Sequence, residues 1–195
     1  MAEKSTRDRI LAAAKDLFYH DGIRATGTDA IVTKAGVTKP TLYYYFASKD
    51  DLVGAYLERR NAAILASLKK TADATRGNVA SKVAAIFESV AKATPNRRWK
   101  GCPIVRGAAE FAADPDHPVR LGTSAHKKAI ERWFKTLLSD YGHANPALKA
   151  RQIAVLLDGA VIQAFMHGDP AYARAAGAAA RALLTGDATR RGATK

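Results

Sequence analysis

The residues of this chain best placed for chemistry are cations and helix starts rather than nucleophiles. No Asp or Glu falls between Asp29 and Asp50, while Lys34, Lys39 and Lys49 all lie in that window, so a surface made from it repels phosphate nowhere. Thr28 and Lys49 each fall where a helix is expected to begin. Free N–H groups and the helix dipole favour an anion at such a point, which makes both residues candidate phosphate clamps.

Covalent and metal chemistry find little support. No Ser/His/Asp arrangement stands at a recognisable spacing, and the GxxxxGK[ST] and GxGxxG phosphate loops are both absent. Asp114 and Asp116 lie in a proline-rich turn, where solvated carboxylates are the ordinary reading. A single cysteine, Cys102, excludes an internal disulfide and leaves no Cys/His cluster spaced for zinc. The expectation is therefore no catalytic residue, no metal and no cofactor. Cys102 keeps one alternative open: it precedes Pro103 at an expected helix start, with Lys100 and Arg106 nearby, a setting that lowers a thiol pKa and suits a redox sensor.

The elements that position these residues follow from hydrophobic spacing. Ile10, Ala13, Ala14, Leu17 and Phe18 recur at helical intervals, and Gly22 reads as the residue just past the helix end. Thr28 is a plausible N-cap for a short helix through Ala35, closed at Gly36. Leu42-Tyr43-Tyr44-Tyr45-Phe46 has strand propensity, but Thr38 offers a cap and Pro40 lies in the first turn, so a helix is expected. Leu42 and Phe46, four apart, then face inward with Ile31, Ala35 and Val37, while Tyr43 and Tyr44 point away. Ser48, with Asp51 three residues on, resembles a capping box and starts a long helix. Further helices are expected over about 78–93, 103–113, 118–141, 147–167 and 170–184, separated by proline turns. The fold class is all-α, with about nine helices.

Two short helices joined by a tight turn at Gly36, the second carrying outward aromatic groups, form a helix-turn-helix. The stretch RDRILAAAKDLFYHDGIRATGTDAIVTKAGVTKPTLYYYFASKDDLVGAYL resembles the N-terminal domain of the TetR family of transcriptional regulators, and GCPIVRGAAEF and LLDGAVIQAFMHGD resemble the C-terminal domain of one large subgroup. The resemblance implies that Lys39, Pro40 and Thr41 read base edges in the major groove, with Lys39 suited to guanine and the Pro40 ring and Thr41 methyl to thymine. It also implies that Tyr43 and Tyr44 lie on the sugar-phosphate backbone; Tyr45 is a third candidate for DNA contact, although helical geometry could turn it partly inside. Val32 departs from the alanine more common in the family, where the two helices approach.

A division follows into a helix-turn-helix domain over 1–50, a ligand-binding and dimerisation domain over 51–187, and a disordered tail over 188–195. Paired motifs grip adjacent major grooves about 34 Å apart, so a homodimer on a two-fold symmetric double-stranded operator is expected. Its interface is expected on the last two helices, through Ala154, Leu157, Ala160, Val161 and Ala164 with Ala173, Ala176, Ala180 and Leu184. A pocket for a small-molecule effector of unknown identity is expected among the middle helices. Trp99, Ile104, Phe111, Trp133 and Met166, with Phe134 and Phe165, would line it, and Glu110, His126, Gln163 and His167 would be its polar partners.

The net charge of +13 suits a nucleic-acid partner, and equally solubility or an anionic lipid surface. Residues 1–60 hold 10 Lys/Arg against 8 Asp/Glu and the remainder 21 against 10, so the excess is not concentrated at the N-terminus. No run of about 18 apolar residues could span a bilayer, and the opening MAEKSTRDR lacks an apolar signal segment, so a cytoplasmic location is expected. The expected function is a ligand-responsive transcriptional repressor. The rivals are a sequence-indifferent architectural DNA binder and a helical enzyme.

Overall fold

The computed structural model describes residues 5–192, with side chains described through residue 185. Among the described residues it holds nine helices and no strand: α1 Thr6–His20, α2 Thr28–Ala35, α3 Lys39–Tyr45, α4 Lys49–Ala74, α5 Val79–Ala93, α6 Pro103–Glu110, α7 Pro118–Asp140, α8 Pro146–His167 and α9 Ala171–Gly192. The expected punctuation sets most boundaries. Pro103, Pro118 and Pro146 open α6, α7 and α8, where the missing N–H would have no intrahelical partner. Ser5 and Asn78 cap α1 and α5 by accepting the N–H groups of Asp8 and Ser81.

Some expectations shift. The N-cap of α2 is Gly27, which has no side chain to bond, and Thr28 is the first helical residue. Helix α6 ends at Glu110 rather than 113, because Phe111–Ala113 turn away in tighter bends. Helix α9 is described to Gly192, past the expected end at 184. Of the tail expected over 188–195, residues 193–195 lie outside the described residues.

The contacts divide the chain into two compact units, one drawn from Met1–Ala63 and Pro103–Ala125, the other from Ile64–Cys102 and His126–Lys195. The division falls inside α4 and α7, so it differs from a single cut near residue 50. In the first unit Ile10, Ala14, Ile31, Leu42, Leu52 and Ile104 are fully enclosed. In the second, α5 packs on α8 and α9 around Phe87, Phe134, Leu138 and Ile153. Burial of such side chains contributes roughly 1.5–3 kcal/mol each relative to exposure. Gly177 lets α9 approach α5 closely: a Cβ there would stand 2.8 Å from the Cβ of Phe87.

This packing corrects the expected dimer faces. Leu157, Ala160, Ala164, Ala173, Ala180 and Leu184 are buried within the second unit's own core, and Ala154, Val161 and Ala176 are half-buried. Small apolar faces on α8 and α9 serve to bring these two helices and α5 together within one chain. The outward stripe is another set: Leu148, Val155, Ile162 and Met166 on α8, spaced seven and four apart, and Ala171, Ala175, Ala178 and Ala182 on α9, spaced three and four apart.

Candidate nucleic-acid interface

The interface is built from the turn outward. Helix α2 ends in a left-handed Gly36 at φ 63°, whose N–H bonds Thr33 O while the Val37 N–H bonds Val32 O. This paired bonding is a Schellman closure, and it satisfies two of the last carbonyls of the helix. Two carbonyls at this corner receive a further donor: Arg9 of α1 donates from Nη2 to Ala35 O at 2.8 Å and Gly36 O at 3.0 Å. A cation at a helix C-terminus also opposes the dipole there. Val32 is buried at this approach and α2 keeps its regular closure around it.

Thr38 caps α3 by accepting the Thr41 N–H, and the two hydroxyls lie 2.8 Å apart. Thr41 is itself half-buried and carries a methyl beside that hydroxyl. Pro40 lies in the first turn. The aromatic run is a helix, and its two faces differ sharply. Leu42 and Phe46 are buried at 0% and 4% exposure, whereas Tyr43, Tyr44 and Tyr45 are 46%, 82% and 38% exposed. Tyr44 and Tyr45 meet edge to face, with centroids 5.1 Å apart. Three phenols on the outside of a short helix cost apolar exposure that a core role would have avoided.

The flanking cations are not all free. Lys39 Nζ lies 2.7 Å from the Asp29 carboxylate, both groups being exposed, and this hydrogen bond followed by the charge attraction raises the Lys39 pKa. The acid-free window is therefore answered by the acid at its edge. Lys34 faces Asp16 at 3.6 Å. Lys49, half-buried at the start of α4, points its ammonium at the Arg24 carbonyl, 3.5 Å away. Ser48 accepts the Asp51 N–H, one half of the expected capping box. Thr28 is half-buried at the first turn of α2.

Three contacts across long sequence separations shape this unit, and local spacing gave no signal for any of them. One is the Arg9 clamp and another the Asp29–Lys39 pair. The third is Glu110, expected to be a polar partner in a pocket. It sits at the end of α6 and accepts the backbone N–H groups of Ile23 and Arg24 at 3.1 and 2.8 Å, fixing the segment that leads into α2. Phe111 is likewise engaged, stacked on His117 at 3.8 Å and covered by the Arg24 guanidinium at 4.8 Å. Ile104 is fully buried in the first unit.

The remaining expected pocket residues belong to the second unit. Trp99 and Trp133 are half-buried against its core, Trp133 tilted on Phe134 and Trp99 edge-on to Phe165. Gln163 and Met166 are exposed, Met166 at 70%. His167, also exposed, stacks on Tyr172. His126 is buried, with its Nε2 enclosed and unbonded among the described residues. Burial first, and the neighbouring Lys127 second, lower its pKa to about 4, against a smaller opposing pull from Asp158. Lys127 and Asp158 form an ion pair beside it. Cys102 is half-buried and unpaired, and Arg106 donates to the Tyr19 carbonyl.

An all-α chain whose N-terminal unit presents a capped, tyrosine-faced second helix after a glycine turn defines the helix-turn-helix class. Residues 10–56 match the family model described as bacterial regulatory proteins, tetR family. A solved TetR-type transcriptional regulator from Streptomyces avermitilis is 30% identical and superposes with a TM-score of 0.76, over 91% of this chain and 98% of that one. The chain belongs to the TetR family. Among curated relatives, the transcriptional activator FasR of Mycolicibacterium smegmatis is 36% identical over 72 residues, 37% of this chain and 33% of FasR. The transcriptional repressor NemR of Escherichia coli is 28% identical over 109 residues, 55% of each chain. The matches thus span about a third and about half of those two relatives.

Proposed function

We propose that the chain is a homodimeric DNA-binding transcriptional repressor, released from a two-fold symmetric operator by a small-molecule effector. The observation that carries this reading is the division of α3 into a buried Leu42/Phe46 face and an exposed tyrosine face, with Lys39, Pro40 and Thr41 at its open N-terminal end. Lys39 and the methyl of Thr41 address base edges. Tyr43, Tyr44 and Tyr45 donate to the backbone, and Lys49 and Thr28 hold phosphates at two helix starts. DNA contact is assigned to residues 1–50 and effector binding and dimerisation to 51–187, in a cytoplasmic protein.

The outward stripe of α8 and α9 supports the dimer. Val155, Ile162 and Met166 share one exposed face of α8, and Ala171, Ala175, Ala178 and Ala182 are exposed on α9, a composition that suits a helix-on-helix interface between copies. Effector binding is assigned to the second unit, where His126 offers an enclosed, unbonded Nε2 and Trp99 and Trp133 offer apolar walls. An effector that prefers one arrangement of the dimer by about 1–3 kcal/mol weakens operator binding some 5–150-fold. Repression follows the sense of NemR, and FasR makes activation the alternative.

Binding to random-sequence duplexes at graded salt tests the interface. Tyr43→Ala and Lys49→Ala should weaken binding to all sequences, and Lys49→Ala should lower the salt slope by about one. Unchanged binding in both variants contradicts the assignment. A uniform loss of binding with salt, with no sequence preferred, would favour the architectural reading.

A further inference from the structure

A groove of about 240 Å³ runs between α1 and α4 in the first unit. Leu11 and Tyr56 form its floor, and Ala12 and Ala63 keep its sides low. Its charged lining is entirely cationic: Lys15 from one wall, Arg59 and Arg60 from the other. Arg59 is matched by Asp8 at 2.7 Å. The other two are not matched by carboxylates among the described residues. The Nε of Arg60 is enclosed and has no hydrogen-bond partner, and its guanidinium lies 5.7 Å from the Tyr19 ring, which Arg106 also approaches at 6.0 Å. Two guanidiniums sharing one aromatic ring gain quadrupole attraction but no compensating anion. A buried N–H donor left unbonded destabilises the chain until an acceptor reaches it.

We infer that this groove binds a small amphiphilic carboxylate, an aromatic or short-chain acid, with its carboxylate between Lys15 and Arg60 and its apolar body on Leu11 and Tyr56. The volume lies below the roughly 300–1,000 Å³ of pockets for drug-sized ligands, which restricts the occupant to a ring or a short chain. Charge complementarity selects a monoanion over a neutral analogue, and the apolar floor selects it over a simple inorganic anion. The site is distinct from the effector position assigned to the second unit. It bears on DNA binding because α1, one wall of the groove, also holds the α2–α3 turn through Arg9. A ligand bridging α1 to α4 fixes the helix to which that turn is anchored.

Calorimetric titration of the full chain with sodium benzoate and sodium octanoate tests the site without any DNA, so its outcome is independent of the operator reading. Saturable binding of at least one of these acids is expected, about tenfold tighter than benzyl alcohol or octanol. Sulfate should not displace it. The Lys15→Gln/Arg60→Gln double variant should weaken it by about tenfold or more, with an unchanged helical circular dichroism spectrum. Should that variant fold poorly, Lys15→Gln alone, at an exposed position, should still weaken binding measurably. The inference is overturned if neither acid binds saturably up to about 10 mM, if the alcohols bind equally well, if sulfate displaces the acid, or if the substitutions leave affinity unchanged.

Discussion

Asp29 and Lys39 form a pair on the exposed side of the helix-turn-helix, so the cation that opens α3 is already partnered when DNA arrives. Breaking an exposed pair costs little, yet the carboxylate remains at the interface as a negative charge facing a polyanion. Asp29→Asn is therefore expected to tighten binding to duplexes of any sequence at low salt, by a few-fold, with the gain fading as salt screens the charge. Electrophoretic mobility shifts at two salt concentrations check this; weaker binding would mean that Asp29 instead steers Lys39 onto a base. His126 makes a second claim at this scale. The unfolded chain takes up a proton there below about pH 6.5, whereas the folded chain does so only near pH 4. Acidification through that window thus favours unfolding, and above it the contribution is constant. Denaturant midpoints should fall between pH 6.5 and 4 more steeply in the native chain than in His126→Phe, and parallel curves would contradict the burial argument. The residues on α3 could be ordered from the sequence because a helical period of 3.6 sorts Leu42 and Phe46 from Tyr43 and Tyr44. Asp29 and Glu110 could not, since their partners are set by tertiary folding over 10 and 86–87 residues.

At the scale of elements, punctuation was the legible part. Gly22, Gly36, Thr38, Pro40, Pro103 and Pro118 carry their structural meaning in backbone chemistry, and the helix bounds follow from them within a few residues. Faces were harder to read. An alanine-rich helix looks the same whether its small side chains meet a neighbour in the same chain or another copy, and α8 and α9 use theirs for the former. Gly177 shows how tight that packing is. Gly177→Ala improves helix propensity by about 1 kcal/mol, but its new methyl must displace the Phe87 Cβ or the helix that carries it. A net destabilisation of about 1 kcal/mol or more is expected from thermal or denaturant unfolding. Stabilisation would show that α5 and α9 can separate freely. The residues expected to line a pocket among the middle helices are divided between the two units, and their spacing alone did not show it: aromatic and polar residues at helical intervals do not announce whether they line space or fill it. Glu110 and Phe111 are used in packing the first unit, while Gln163 and Met166 face solvent.

At the scale of the whole molecule, the account requires two copies. The stripe of Val155, Ile162 and Met166, all exposed, has no partner within the described chain, and exposed apolar bands of this kind mark interaction surfaces. Ile162→Asp is expected to yield monomers by sedimentation while leaving helicity intact, and to reduce binding to paired half-sites far more than to a single one. A dimer that survives this substitution would place the interface elsewhere. The central claim remains that α3 reads a specific sequence, one copy per half-site, with its phenols on the phosphates. Selection of bound duplexes from random DNA by the purified chain tests it most directly. A two-fold symmetric site should emerge, and Lys39→Ala and Thr41→Ala should each relax preference at particular positions within both halves by about 1–3 kcal/mol. Recovery of no common site, or of a site indifferent to both substitutions, would contradict the account.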